Sequence, residues 1–346
     1  MPPGHRFPMS KYKKVRKAVQ SHINNSEKQI QCDFRVSPLA TFEQLSTTHC
    51  PEYIERYLSG HMTDAENRNI GFPWTLQHVN RTLSSTGGTV AAACDAYEEY
   101  IRRCNLHQNN DGQTNNAHLC WSAHVAGGTH HAFRDYGEGF CIFSDIAVAA
   151  NILLQKFPHQ STTTTDTAAK SKGIRRILII DLDVHQGNGN AAIFQGNDKV
   201  KTFSVHCRSN YFSKKEESDL DIELPAGCTD DTYLSTLKHW LRRIEEHPFD
   251  DNNEQGKQGQ KPFDFIFYQA GVDIHKDDRL GRLSISQEGI SKRNHLVFDF
   301  AIRMRAPLVI CMGGGYPRDD WAPILNAHAG VYIEAHQYLS SVLEEA

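Results

Sequence analysis

Arg176-Ile177-Leu178-Ile179-Ile180-Asp181-Leu182-Asp183-Val184-His185 is a short, unbroken apolar run that ends in acids and a histidine. A run this brief, rich in β-branched residues and apolar at consecutive positions, is a strand covered on both faces, and such strands belong to parallel sheets. Lys201–His206, Phe263–Gln269 and Pro307–Met312 have the same form. Helical patterns over Thr232–Glu246 and Gln287–Arg303 lie between them. Alternating strand and helix predicts an α/β fold, with helices on both faces of a mostly parallel sheet in three layers, α/β/α.

Upstream, residues 10–30 are polar, basic and helical in pattern. Thr75–Arg103 carries a long helical pattern, which Thr86-Gly87-Gly88-Thr89 is expected to interrupt. The glycine-spaced segment Tyr136–Phe143 reads as a loop leading into a helix over Ser144–Phe157. His159–Lys172 and Asp250–Lys261 are polar and low in complexity, which fits surface insertions. Neither is long enough for a domain and no repeat is visible, so one domain is expected over residues 1–346.

Whole-chain properties narrow the function. Of the 346 residues, 39% are hydrophobic and 10% aromatic, ample for a buried core. A net charge of -4 gives no electrostatic basis for binding nucleic acid or an anionic membrane. Nine scattered cysteines form no C-x-x-C pair, which argues against a cysteine zinc site and for reduced thiols inside the cell. No apolar run approaches the ~20 residues that span a bilayer, and Met1–Lys17 lacks the apolar core of a secretory signal. The expected location is the cytoplasm. The basic stretch Lys11–Lys17 leaves the nucleus open without arguing for it, because those residues also make one face of a helix.

Open α/β sheets place their sites beyond the carboxyl ends of the strands, and four strand or loop ends here carry unusual residues. Alternation along Asp181-Leu182-Asp183-Val184-His185 sends two carboxylates and an imidazole to one side. Bare carboxylates that close repel one another, and a cation resolves the conflict; the plainer alternative is solvated acids with a chance histidine. Gly271-Val272-Asp273 follows the next such strand and supplies a third ligand. Asp183, His185 and Asp273 form a set that suits Zn²⁺ and would also accept Fe²⁺ or Co²⁺. Three protein ligands leave a position open for water, as catalytic sites do.

Gly127-Gly128-Thr129-His130-His131 offers a general base and a general acid beside that site, although an HH pair alone is a weak signal. Met312-Gly313-Gly314-Gly315-Tyr316 delivers a phenol that can donate to a developing oxyanion. A packing tyrosine on a glycine turn, or a phosphate loop, are the alternatives; no Lys-Ser/Thr follows to support the latter. Gly187-Asn188-Gly189-Asn190-Ala191-Ala192 fits a dinucleotide fingerprint in form. The metal ligands lie between strand and glycines, where they would crowd a pyrophosphate.

Taken together, G-G-T-H-H (127–131), G-x-G-F (137–140), D-x-D-x-H (181–185), G-x-D (271–273), D-R-L-G (278–281) and G-G-G-Y (313–316) resemble the zinc-dependent histone deacetylase superfamily in wording, order and spacing. The resemblance runs from about His5 to Tyr332 and is nearest in wording to the class IV branch and its bacterial relatives. It implies one arginase-like α/β domain around an eight-stranded parallel sheet. It implies metal ligation by Asp183, His185 and Asp273, with His130 and His131 as the catalytic pair and Tyr316 as oxyanion donor. Asp181 would orient His130 and help bind a structural K⁺, together with backbone oxygens of Asp183, His185 and Val205 and the Ser204 hydroxyl. Phe140 and one of Tyr211 or Phe212 would wall an acyl tunnel, Leu280 would sit near its mouth, and Gly139 would offer a carbonyl to substrate. Class I members carry an Asp behind the second histidine; Asn188 stands there instead, which would leave His131 less basic and suited to act as the base. The acidic loop that grips peptide backbone in class I has no clear match.

The activity so implied is hydrolysis of acylated lysine. Deacetylation of small acylated amines such as acetylpolyamines is the near alternative. A binuclear manganese ureohydrolase would need a second ligand set, and a non-catalytic binding module would not need the full constellation. Oligomeric state is not legible.

Overall fold

A computed structural model of the chain describes residues 5–25, 32–107, 120–159, 173–210, 213–249 and 262–344. Six strands form one sheet: β1 Trp121–His124, β2 Ile177–Asp181, β3 Val200–Cys207, β4 Leu220–Leu224, β5 Phe265–Gln269 and β6 Leu308–Cys311. Their order is β1-β6-β5-β2-β3-β4, and every pairing is parallel. The expected eight strands are therefore six among the described residues. Further pairings stop at single bridges, such as Pro158 with Ile174; proline has no N–H with which to extend a ladder.

The alternation of β2 assigns the two faces. Leu178 and Ile180 join a core with α8 (Asp230–Glu246), α9 (Gln287–Met304), α10 (Ala322–Glu344) and α1 (Lys11–Asn24). Ile177 and Ile179 join a second core with α2 (Phe42–Ser46), α3 (Pro51–Ser59), α4 (Asp64–Ile70), α5 (Leu76–His107) and α6 (Asp145–Lys156). This is the expected three-layer arrangement. The short helix α7 (Asn188–Phe194) follows the acidic end of β2.

The four sequence-expected strands and the helices α8 and α9 fall where the pattern put them, within a few residues. The edge strands β1 and β4 had no apolar run to announce them; β4 alternates as Leu220-Asp221-Ile222-Glu223-Leu224, with one face partly open. The expected break in α5 does not occur: the helix runs through Gly87-Gly88. A Cβ on Gly87 would lie 2.2 Å from the Pro38 carbonyl oxygen, and one on Gly88 2.3 Å from His124 Nε2. These glycines are there for close packing against neighbours, and the tertiary contacts outweigh their poor helix propensity. The low-complexity insertions lie almost wholly outside the described residues.

The register aligns the carboxyl ends of the central strands. Asp181 pairs with Ser204 on one side and Gln269 on the other, and Gln269 with Cys311. The chain leaves these ends as the segments that carry Asp183, Asp273 and Tyr316.

Candidate metal and catalytic site

Asp183, His185 and Asp273 are buried, and one ligand atom from each lies within 4.8 Å of the others. Among the described residues no other group of three or more His, Cys, Asp or Glu converges in this way. Outer contacts aim the carboxylates. Asp183 Oδ2 accepts from Gln269 Nε2 at 2.8 Å and from the Gly314 N–H at 2.8 Å. Asp273 Oδ1 accepts from the Val184 N–H at 2.9 Å. His185 Nδ1 stands 3.1 Å from Asp183 Oδ1 and 3.3 Å from Asp273 Oδ2, which has no hydrogen-bond partner. A buried carboxylate oxygen without a donor, facing an imidazole nitrogen and a second carboxylate, is what a cation would satisfy. Glycine keeps the space clear: a Cβ on Gly314 would fall 2.1 Å from Asp273 Oδ2 and 2.7 Å from Asp183 Oδ2. The donor set fits a divalent transition metal with room for a further ligand.

Burial would depress His185, but Asp183 and Asp273 outweigh it and hold the imidazole up at about 10. Asp273 is raised to about 6 by burial and by the charge of Asp183. The site is thus a strong trap for positive charge.

The two histidines after the glycine turn are unlike. Gly127 and Gly128 both have positive φ, 75° and 78°, and beyond this turn the two rings lie 4.0 Å apart between centroids, tilted by 42°. Asp145, at the start of α6, holds this turn. It accepts from the N–H groups of Gly128 at 3.0 Å and Thr129 at 2.7 Å, and from the hydroxyl of Thr89 at 2.5 Å. His130 Nδ1 pairs with Asp181 Oδ2 at 2.6 Å, and its Nε2 is 3.8 Å from Asp183 Oδ1. Burial opposes its charge, but Asp181 and Asp183 prevail and raise it to about 9. His131 Nδ1 lies 2.8 Å from Asn188 Oδ1. Burial, reinforced by repulsion from His130 and His185, drives His131 well below the ordinary histidine range. The surroundings thus favour a proton on one ring and disfavour it on its neighbour.

Tyr316 is buried, and desolvation pushes its phenol well above 10, so it keeps its proton. Its backbone is fixed by Asp278, whose Oδ2 accepts from the Tyr316 N–H at 2.6 Å while Oδ1 accepts from Leu280 and Gly281. Phe140 lies 6.2 Å from the Tyr316 ring and Phe7 also 6.2 Å. Phe140 adopts φ 68°, rare for a bulky residue, directly after Gly139 at φ 56°. Leu280 packs against the same cluster. Tyr211 and Phe212 fall outside the described residues. Val205 is buried in β3, and Ser204, the register neighbour of Asp181, has its hydroxyl 3.0 Å from His206 Nδ1.

The dinucleotide-like glycines open α7, but the N–H groups of Gly189 and Asn190 are spent on the His130 carbonyl at 3.0 and 3.2 Å. Those two N–H groups are therefore not free for a pyrophosphate.

Several residues at the site had no role read from the sequence. Glu138 is the variable position of G-x-G-F, and Asp278 opens D-R-L-G. Lys11 looked like one more residue of a basic helix face, yet it is only 1% exposed. Its ammonium donates to the Gly313 carbonyl at 3.1 Å and the Gly315 carbonyl at 3.3 Å, and lies 5.3 Å from the Tyr316 ring centre. Arg293, fully buried in α9, donates to the Gly271 carbonyl at 2.6 Å and so anchors the turn before Asp273.

Comparison with known proteins agrees with this geometry. The model of the histone deacetylase domain matches residues 5–331. An uncharacterized protein of Picosynechococcus sp. is 37% identical over 320 residues, covering 92% of this chain and 89% of that protein. Histone deacetylase 2 of Arabidopsis thaliana is 31% identical over 203 residues, covering 58% of this chain but only 45% of its own. Among solved structures, a histone deacetylase homologue from Aquifex aeolicus superposes with a TM-score of 0.65 at 22% identity, covering 99% of this chain and 80% of that one. That likeness concerns the fold. No helix among the described residues is long and apolar enough to cross a membrane. A family match over nearly the whole chain, with a buried Asp-His-Asp metal site at the sheet's carboxyl edge, makes this protein a metal-dependent hydrolase of the histone deacetylase family.

Proposed function

We propose that the chain is a zinc-dependent lysine deacylase, removing acetyl or longer acyl groups from the ε-amine of lysine in proteins. The observation that carries this reading is the unlike partnering of two adjacent buried histidines beside one metal site: His130 Nδ1 faces the Asp181 carboxylate at 2.6 Å and His131 Nδ1 the neutral Asn188 amide oxygen at 2.8 Å. A neutral base next to a charged ring suits the hydrolysis of an amide, in which a proton must be taken from water and then given to an amine.

Asp183, His185 and Asp273 would hold the metal, Zn²⁺ by the chemistry of the set, with Fe²⁺ also accommodated. When bound it supplies Lewis acidity towards the amide carbonyl and a lowered pKa for water. His131 takes the proton of the attacking water as the new C–O bond forms. Tyr316, which retains its own proton, donates to the oxyanion that develops on the carbonyl oxygen. His130, tied to Asp181, keeps positive charge alongside. His131 then passes its proton to the amine nitrogen as the C–N bond breaks, giving a carboxylate and a free amine. Phe140, Leu280 and one of Tyr211 or Phe212 would flank the acyl chain, with the Gly139 carbonyl available to the substrate.

Asp181, paired with Ser204 in the sheet, would share a structural K⁺ with the backbone of Asp183, His185 and Val205. We place the chain near the class IV branch, as one catalytic domain acting in the cytoplasm, with the nucleus not separated from it. The test is turnover of a panel of acyl-lysine peptides and acetylpolyamines by the metal-loaded protein. Metal-dependent release of the acyl group from lysine, abolished together with metal content in Asp183→Ala, is expected. Cleavage of acetylpolyamines alone would move the assignment to small amines, and a protein that takes up no stoichiometric metal would overturn it.

A further inference from the structure

Behind His131 the hydrogen bonds do not stop at Asn188. Asn188 Nδ2 donates to Glu138 Oε1 at 2.6 Å, and the other oxygen of Glu138 accepts from the Ser213 hydroxyl at 2.9 Å. Asn188 is completely buried and Glu138 is 3% exposed. Among the described residues no lysine, arginine or histidine lies within ion-pair distance of Glu138. An acid buried without a cation is costly, so its hydrogen bonds must be specific ones. The loop that carries it is strained as well. Gly139 and Phe140 both take positive φ, Glu138 bridges to Cys141, and a Cβ on Gly137 would lie 2.5 Å from the Cys141 carbonyl oxygen. Non-glycine residues in that conformation cost of order 1–3 kcal/mol and cluster at working sites.

We infer that Glu138 is a positioning residue for catalysis: it fixes the orientation of the Asn188 amide and thereby the tautomer of His131. Either end of a carboxamide can face an imidazole. With its NH₂ turned towards His131, Asn188 would point its carbonyl oxygen at the Glu138 carboxylate, acceptor against acceptor. The carboxylate forbids that orientation, so Asn188 Oδ1 faces His131 Nδ1 at 2.8 Å. Nδ1 must then carry the hydrogen, and the lone pair is left on Nε2, the nitrogen free to accept a proton. Asn188 cannot itself take the proton, so the acid acts at one remove and His131 remains the neutral member of the pair. Sequence alone ended this chain of contacts at a neutral asparagine; the structure adds the carboxylate behind it.

The inference deepens the deacylase reading and rests on it for its kinetic test, while its spectroscopic test does not. Zinc-loaded protein with ¹⁵N-labelled histidine should show His131 as a single tautomer protonated at Nδ1, the signal being assigned by its loss in His131→Asn. Glu138→Ala should convert it to a mixture. With an acetyl-lysine peptide, Glu138→Ala should lower kcat by about 10–100-fold, less than the ~10⁴-fold lost when a triad imidazole is held in the wrong tautomer. KM and zinc content should stay within twofold of the parent. Glu138→Gln can still offer an oxygen to Asn188 and should keep most activity. In an Asn188→Ala background, Glu138→Ala should cost nothing more, because the two residues act as one unit. Losses that multiply in the double variant, an unchanged tautomer, or a Glu138→Gln protein as impaired as Asn188→Ala would each overturn the inference. If Glu138→Ala does not fold, Glu138→Gln and its tautomer decide. A parent protein that cleaves no acyl-lysine but shows the fixed tautomer would sink the deacylase reading and leave the inference standing.

Discussion

Tyr316 and His185 show how single side chains at this site are tuned by what surrounds them. Burial keeps the Tyr316 phenol protonated at any working pH. Replacing it with Phe removes one oxyanion donor and leaves the packing against Phe7 and Phe140 in place. Loss of such a donor costs roughly 10²–10³ in kcat, so Tyr316→Phe is expected to retain zinc and lose about that much turnover on an acetyl-lysine peptide. Full activity would remove the phenol from the chemistry. His185 leads to a second expectation. Its carboxylate neighbours hold a proton on it up to about 10, and Asp273 titrates near 6. A metal must displace the His185 proton throughout the neutral range and a second one below pH 6. Zinc affinity should therefore fall by about tenfold per pH unit on acidification, and more steeply below 6. Competition with a chromophoric chelator at several pH values measures this slope, and a flat profile would mean that other groups hold the metal.

At the scale of elements, the long helix α5 shows where tertiary contacts override local preference. Gly→Ala in a helix interior normally stabilises by about 1 kcal/mol. At Gly87 the added methyl would meet the Pro38 carbonyl oxygen at 2.2 Å. Gly87→Ala is therefore expected to destabilise by about 1–3 kcal/mol, the usual range for overpacking, as read by chemical denaturation. A more stable variant would show that the 37–40 segment yields. The same contrast explains how much could be read beforehand. The strands β2, β3, β5 and β6 are buried on both faces and so leave an apolar run in the sequence. Edge strands β1 and β4 are partly open, and pairing rather than composition defines them. The metal ligands were legible because Asp-x-Asp-x-His and Gly-x-Asp repeat one chemistry at two strand ends. Glu138, Lys11 and Arg293 were not, because each acts through contacts with residues far away in sequence. No local pattern marks a buried ion whose partner is a carbonyl 302 residues on.

For the molecule as a whole, Lys11 ties the first helix to the last strand's turn. Burial lowers this lysine from 10.5 to about 8, even though Asp273, Asp183 and Asp278 favour its charge. Below pH 8 it is charged in both folded and unfolded chains, and folding bears the full cost of enclosing the ammonium. Between pH 8 and 10.5 the folded chain releases the proton first, the unfolded chain binds more protons, and stability rises with pH. At ~1.4 kcal/mol per unit the whole window is worth about 3 kcal/mol. Subtracting the stability of Lys11→Met from that of the parent should isolate this contribution. The difference should shift in favour of the parent between pH 8 and 10, and a constant difference would mean that the lysine is not enclosed as a cation. The tie also has a consequence for synthesis. Lys11 leaves the ribosome 302 residues before Gly313, with Gly315 and Tyr316 later still. Contacts this distant in sequence form slowly, and a nascent chain that ends before β6 has its metal ligands but neither the phenol nor the turn that Lys11 holds. Chains that stop short of Tyr316 should thus remain catalytically silent.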